Sequence, residues 1–281
     1  MASALALGIC MGVDFSSVAN GPDLLSIVRN LDPEKLPADI RNECLNGIIE
    51  EDRAKDGDYL VVWGGSSTCA HTMKQLARLA KLRIISVTDS RKHGIRLSNH
   101  SSIRPDLLVD SHDPERAIEI IRSATKNNAR FGFDTQGKES AAHLLRSLSS
   151  HPNPLPIDPT SLPKSSSEFS TRPTHTNKLP TPPATPSEYK SLNSHLVGLT
   201  GLPKVSPPDG TVFHNVPIKL FHEIPEVGEA MVLWCERLLA QGLLECPDVV
   251  GVVEGLESVN EGLGRLRRGE ISGGRLVVRL P

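Results

Sequence analysis

The sequence lacks any apolar run approaching the ~18–20 residues that a membrane-spanning helix needs, so no transmembrane segment is predicted. It lacks an excess of one charge. The 31 Lys+Arg stand against 33 Asp+Glu, a formal net charge of -2, which removes the electrostatic case for nucleic acid or a membrane surface as partner. It lacks paired cysteines: Cys10, Cys44, Cys69, Cys235 and Cys246 are widely spaced, with no C-x-x-C and no Cys/His cluster at zinc-ligand spacing. Neither a disulfide framework nor a metal site is therefore expected, and a scattered, odd set of thiols fits the reducing cytoplasm. The apolar opening Ala2–Met11 lacks the basic n-region and cleavage site of a secretory signal. Hydrolase chemistry also finds no support, because Gly64-Gly65-Ser66-Ser67 is not a G-x-S-x-G elbow and no Ser/His/Asp set accompanies it.

What the chain has is an uneven distribution of proline. Ten of its 22 prolines fall between His151 and Leu192, among many Ser and Thr. Such a stretch has little apolar surface to bury and many residues without a backbone donor, so an extended, disordered insertion is expected at 151–192.

On both sides of it, strand and helix patterns alternate. Tyr59–Trp63, Arg83–Thr88, Asp106–Val109, Arg130–Asp134 and His195–Leu199 read as short strands, the first being the continuous apolar run of a strand covered on both faces. Between them, Met73, Leu76, Ala77 and Ala80 carry helical spacing, and Pro114–Ala124 and Ser140–Leu148 read as helices. Further on, Val212–Phe221 is β-rich, Glu226–Ala240 and Leu256–Arg268 are helical, and Val249–Val253 and Leu276–Arg279 are strands. Pro22–Gly47 reads as two helical pieces broken near Pro33 and Pro37. Repeated β-α units predict an α/β fold, a doubly wound parallel sheet. The expected organisation is a helical leader over 1–56 and a dinucleotide-binding domain over 57–281, interrupted by the insertion.

The chemistry concentrates on the turn Gly64, Gly65, Ser66, Ser67, Thr68, Cys69 that follows the first strand. Strand, small-residue turn and helix, in that order, is where a dinucleotide pyrophosphate sits on a helix N-terminus: small side chains admit the phosphates, hydroxyls donate, and the helix dipole favours an anion. Gly64, Ser67 and Ala70 fall at the three places of a G-x-x-G-x-x-G/A spacing, with Ser at the second. Asp89 ends the second strand, where a carboxylate would accept from an adenosine ribose, whereas Ser90, Arg91 and Lys92 would hold a 2′-phosphate. The first favours NAD and the second NADP; the balance is read toward NADP, with NAD left open. Asp134-Thr135 and Gly198-Leu199 end the fourth and fifth strands and would line the nicotinamide side of the crevice. His71, Lys74 and His222 are read as structural or solvated side chains.

At these residues the chain resembles the C-terminal, cofactor-binding half of medium-chain dehydrogenases/reductases, and more closely the fungal zinc-independent members: quinone-reductase-like proteins and the trans-acting enoyl reductases of polyketide synthesis. The resemblance rests on Leu60-Val-Val-Trp-Gly-Gly-Ser-Ser67, Val109-Asp-Ser-His-Asp-Pro114, Phe133-Asp-Thr135, Leu196-Val-Gly-Leu199 and Arg268-Gly-Glu-Ile-Ser-Gly-Gly-Arg-Leu-Val-Val278. It implies NADPH bound along Ser66–Cys69, Asp89–Lys92, Gly198–Leu199 and Ile271–Ser272, with Ser111 where many members carry an aromatic near the adenine. It also implies hydride transfer to a polarised C=C or C=O bond of an enone, quinone or enoyl thioester, the last as a carrier-bound chain in secondary metabolism, and no metal. The family's other half, a GroES-like domain that walls the substrate cleft, is expected to be absent, so no catalytic residue is assigned. A catalytically inactive nucleotide-binding or partner-binding remnant is the alternative. The Val212–Phe221 stretch is expected to pair two copies into a homodimer.

Overall fold

In the computed structural model, residues 1–148 and 192–280 are described. The expected insertion, Leu192 apart, lies outside them. The chain opens on a short helix α1 (Ala2–Leu5) that continues as a π-helical turn over Ala6–Cys10, followed by α2 (Leu24–Arg29) and α3 (Ala38–Asn46). A 3-10 turn at Pro33–Lys35 separates the last two, where the prolines predicted a break. Asp23 caps α2 by accepting from the Ser26 N–H at 3.2 Å.

Alternation follows, with α5 added to the helices read from the sequence: β1 (Tyr59–Trp63), α4 (Thr68–Leu79), β2 (Arg83–Thr88), α5 (Ser90–Asn99), β3 (Leu107–Asp110), α6 (Pro114–Thr125), β4 (Phe131–Asp134), α7 (Lys138–Ser147) and β5 (Ser194–Gly198). Then come β6 (Thr211–His214), α8 (Lys219–Glu223), α9 (Pro225–Ala240), β7 (Val249–Glu254), α10 (Val259–Arg267) and β8 (Arg275–Arg279). The first six strands form one parallel sheet in the order β3-β2-β1-β4-β5-β6. A doubly wound sheet is thus what the β-α pattern builds, because parallel neighbours need helical crossovers and these cover both faces.

The period-2 alternation of side chains divides the core. Leu60 and Val62 of β1, with Phe131 and Phe133 of β4, face a cluster that contains Leu5, Leu7 and Ile9 of the opening helix, Met73 and Leu76 of α4, and Met231 and Trp234 of α9. Val61 and Trp63 face the other cluster, with Ile85, Val109, Ile121 of α6 and Leu144 of α7. The leader therefore shares the sheet's own core. Its packing on α9 is specified by Phe15 against Trp234, ring centroids 4.5 Å apart, and by the Trp234 indole N–H donating to the Val18 carbonyl at 2.9 Å.

One expectation needs correction. Val212–Phe221 is not one β segment: the strand ends at His214, Pro217 interrupts the backbone donors, and Phe221 lies in α8. The strands read at 249–253 and 276–279 are present as β7 and β8, apart from the main sheet. They pair with each other, in parallel, as a separate two-stranded sheet around α10.

Candidate functional site

The strand order reverses direction between β1 and β4, which makes the gap between their carboxyl ends the switch point of the sheet. The glycine turn sits there. Gly64 has φ +79°, a left-handed conformation that disfavours any side chain, and a Cβ on it would collide with Thr135 Oγ1. A Cβ on Gly65 would collide with Ser86 Oγ. The N–H groups of both glycines donate to the Val87 carbonyl, at 3.0 and 2.9 Å, which folds the turn back onto β2.

Ser67 is the N-cap of α4: its Oγ accepts from the Ala70 N–H at 3.1 Å and lies 3.0 Å from Thr135 Oγ1. Thr135 Oγ1 in turn reaches the Gly64 carbonyl at 3.0 Å. Ser67 and Thr135 thus lock the two sides of the switch point together. Beyond the capped groups, the first turn of α4 keeps N–H groups without intrahelical partners, as every helix start does.

Beneath the turn lies a lysine. Lys74 is fully buried, and its Nζ donates to the Gly65 carbonyl at 2.8 Å. Burial, with Arg96 and Arg78 adding like charge, lowers its pKa to about 7. It supports the turn from behind, in agreement with a structural reading. A sequence signal for this exists, since Ala70, Met73, Lys74 and Ala77 fall at i, i+3, i+4 and i+7, the buried stripe of α4. His71 is also structural: it is buried, with Nε2 3.1 Å from the Glu245 carbonyl. His222 is exposed on α8.

At the end of β2, Asp89 is the N-cap of α5 and accepts from the Lys92 N–H at 3.1 Å. That bond, opposed by slight burial and reinforced by His112 and the Lys92 charge, holds its carboxyl below the ordinary range. Ser90 turns away from Asp89: its N–H and Oγ both donate to Asp110 Oδ1 at the end of β3, at 2.9 and 2.6 Å. These bonds and one from His112 hold the Asp110 carboxyl far below its usual value. Arg91 and Lys92 are exposed on the first turn of α5, and Lys92 Nζ stands 3.7 Å from Asp89. Sequence reasoning placed Asp89–Lys92 here and missed the clamp from Asp110.

At the other half of the crevice, Asp134 is buried and aimed inward. Its Oδ1 accepts from the N–H groups of Gln136 and Gly137 at 2.9 and 2.8 Å, which shapes the turn into α7, while burial raises its pKa. Gly198 follows beside it, with the Leu199 N–H donating to the Asp134 carbonyl at 2.9 Å. Gly198 also meets the Gly201 carbonyl so closely that a Cβ there would stand 2.6 Å away. Gly64–Cys69, Asp89–Lys92, Asp134-Thr135 and Gly198-Leu199 thus follow the carboxyl ends of four adjacent strands, β2-β1-β4-β5. Ile271 and Ser272 come from the loop before β8, where Ser272 Oγ is 2.9 Å from Nε2 of His93 on α5, so they lie toward the Asp89 side.

No protein-family model matches the chain. It is 26% identical over 234 residues to dehydrogenase orsE of Emericella nidulans, a match that covers 80% of this chain and 51% of that protein. The chain thus spans about half the length of this curated relative. Among solved structures, the fold is similar to CurK enoyl reductase (TM-score 0.56, 11% identity, 92% of this chain and 60% of that one). It is also similar to a putative NADPH:quinone reductase from Bacillus thuringiensis (TM-score 0.54, 16% identity, 81% and 57%). The resemblance to medium-chain dehydrogenases/reductases read from the motifs is thereby borne out, in fold by the reductases and in sequence by the dehydrogenase. Among the described residues, no helix is long and apolar enough to cross a membrane.

Proposed function

We propose that the chain binds a nicotinamide dinucleotide across the carboxyl ends of β2, β1, β4 and β5, as the cofactor-binding part of an NAD(P)H-dependent reductase. The observation that carries this reading is the switch point: two glycines that admit no Cβ, an α4 N-terminus behind them, and a Ser67–Thr135 lock that holds the turn open toward the crevice. The pyrophosphate would lie on Gly65–Cys69, where backbone N–H groups and the helix dipole supply positive potential without a mobile side chain. The adenosine ribose would meet Asp89, and the nicotinamide would approach Thr135, Gly198 and Leu199.

For the 2′ position the reading favours NADPH. Ser90 is engaged with Asp110 at the end of β3 and Asp89 with the start of α5, while Arg91 is exposed and has no ion-pair partner among the described residues, which frees it for a phosphate. The reaction proposed is hydride transfer to the C=C or C=O bond of an enone, quinone or enoyl thioester. It would take place in a reducing compartment, in keeping with five free cysteines. Outer strand β6 is the surface along which two copies would pair.

Fluorescence titration with NADPH and NADH tests the binding claim, and failure of both cofactors to bind removes it. Replacing Arg91 and Lys92 together by Ala is expected to weaken NADPH about 10- to 100-fold, the worth of one or two charge-assisted hydrogen bonds, and to leave NADH nearly unchanged. Equal losses for the two cofactors refute the phosphate assignment. Turnover of enones, quinones or enoyl thioesters with a bound cofactor separates a working reductase from a binding module without catalysis.

A further inference from the structure

A row of four titratable side chains runs between the leader and the outer part of the sheet, and cofactor binding makes no use of it. His195, at the start of β5, and His214, at the end of β6, are both fully buried. His195 Nδ1 lies 2.9 Å from His214 Nε2. At one end of the row, His214 Nδ1 lies 2.6 Å from Glu43 Oε1 of α3. At the other, His195 Nε2 stands 3.6 Å from Asp52 Oδ2. Cys10, the last residue of the opening helix, joins the Glu43 end: its sulfur, a Glu43 oxygen and a His214 ring nitrogen all lie within 4.8 Å of one another.

Counting protons exposes a mismatch. A neutral imidazole offers one N–H and one lone pair. If His214 donates to Glu43 through Nδ1, its Nε2 must accept from His195 Nδ1. His195 Nε2 is then a bare lone pair facing the Asp52 carboxylate, a buried atom 3.6 Å from Asp52 Oδ2. Reversing both rings satisfies Asp52 but turns the lone pair of His214 Nδ1 onto Glu43. Two neutral rings carry two protons for three contacts, so one contact, at an end or between the rings, is always left unmatched, and a cation at one end repairs it.

The ligand types at the Glu43 end say which cation. We propose that Cys10 Sγ, a Glu43 oxygen and His214 Nδ1 form a binding site for a divalent metal ion of the zinc type, with water as fourth ligand. Thiolate, imidazole and carboxylate are the donors that zinc takes, in tetrahedral geometry. With the metal on Nδ1, His214 donates through Nε2 to His195 Nδ1, and His195 donates through Nε2 to Asp52. Every ring nitrogen then has a matching partner. Asp52 orients the row as carboxylates do behind metal-bound histidines, and is itself held by Asn193 N and Nδ2 at 3.0 and 2.7 Å.

Charge supports the same assignment. Metal, thiolate, carboxylate and neutral imidazole sum to zero, the thiol proton of Cys10 leaving to solvent, which is the balance a buried site needs. Among the described residues no Lys or Arg pairs with Glu43. The Glu43 side chain is 17% exposed and gives an ion a way in. A proton on His195 would also repair the row, with the Cys10 thiol left to donate to Glu43. Because two ligands come from the leader (its opening helix and α3) and one from β6, the ion would fasten the leader to the sheet edge and take no part in hydride transfer. The expectation of no metal rested on local Cys/His spacing, which cannot register ligands this far apart in the chain.

Titration of the chelator-treated, unmodified chain with cobalt(II) tests the proposal. The expected result is a thiolate-to-cobalt charge-transfer band and intense tetrahedral visible bands that saturate at one cobalt per chain and disappear on adding zinc. Cys10→Ser should abolish the charge-transfer band, while Cys246→Ser, at an exposed thiol, should leave it unchanged. Asp52→Asn should retain the band and weaken affinity about 10- to 100-fold. Circular dichroism of each variant establishes that it folds. A spectrum of octahedral, water-bound cobalt in the unmodified chain overturns the proposal, as does a thiolate band that survives Cys10→Ser. A His195 ring resonance that titrates as a single proton site and ignores added zinc overturns it in favour of the protonated row.

Discussion

β1 and β7 are nearly interchangeable as sequences, Tyr59-Leu-Val-Val-Trp63 against Val249-Val-Gly-Val-Val-Glu254, and opposite as structures. In β1, Leu60, Val61, Val62 and Trp63 are at most 2% exposed. In β7, Val249, Val250 and Val252 are 58%, 48% and 48% exposed. The difference lies in what surrounds them. β1 has a hydrogen-bonded neighbour on each side and a helical layer on each face, whereas β7 has β8 alone. Apolar β-branched residues make a strand in either setting, but burial requires partners that the strand does not itself encode. Three exposed valines on one strand of a two-stranded sheet mark a surface unlike β1.

The contrast is broken most directly by truncating one residue in each strand. Leu60→Ala is expected to cost about 2–5 kcal/mol, the range for a fully buried leucine, while Val252→Ala should stay within about 0.5 kcal/mol. Urea denaturation of both variants measures this, and similar losses would mean that β7 is covered in solution.

A second effect belongs only to the buried region. Lys74 has its pKa lowered from 10.5 to about 7 by burial and two neighbouring arginines. Between pH 7 and 10.5 the unfolded chain therefore binds a proton at this site that the folded chain lacks, so this group makes stability rise with pH across that window and adds nothing further above it. The slope is at most about 1.4 kcal/mol per pH unit. The stability difference between the unmodified chain and Lys74→Met, measured at pH 7 and pH 9, should grow in favour of the former. A difference independent of pH would show Lys74 to be solvated.

The smallest effect compares two helix starts. Ser67 caps α4 with a hydrogen bond to the Ala70 N–H, while Ser258 precedes α10 and makes no such bond. Ser67→Ala should cost about 1 kcal/mol and Ser258→Ala a few tenths. Equal thermal shifts would remove the distinction between a helix start that faces the crevice and one that does not.

Much of this was legible in the chain. Strands β1 to β5, helices α4, α6 and α7 and the glycine turn followed from apolar runs, helical spacing and small residues in sequence, all of which are local signals, whereas α5, with few apolar residues, was not read. The ends of Val212–Phe221 were not, because a β-rich composition continued past Pro217 into residues that fold as α8. Nor was the Asp110 clamp on Ser90, which joins the ends of two neighbouring strands. Lys74 was half legible: its place on the apolar stripe of α4 was written in the spacing, but its target, the Gly65 carbonyl, required the turn to be folded above it.

The sequence by itself determined most of the β-α alternation, the doubly wound class and the position of the glycine turn, since each depends on residues within one or two elements of one another. The tertiary structure alone decided that β7 and β8 stand exposed outside the main sheet and that the switch point falls between β1 and β4. It also decided that Cys10, Glu43, His214, His195 and Asp52 meet in one row. Such meetings depend on strand order and on the return of the leader across the sheet, and no local spacing of residues carries that information.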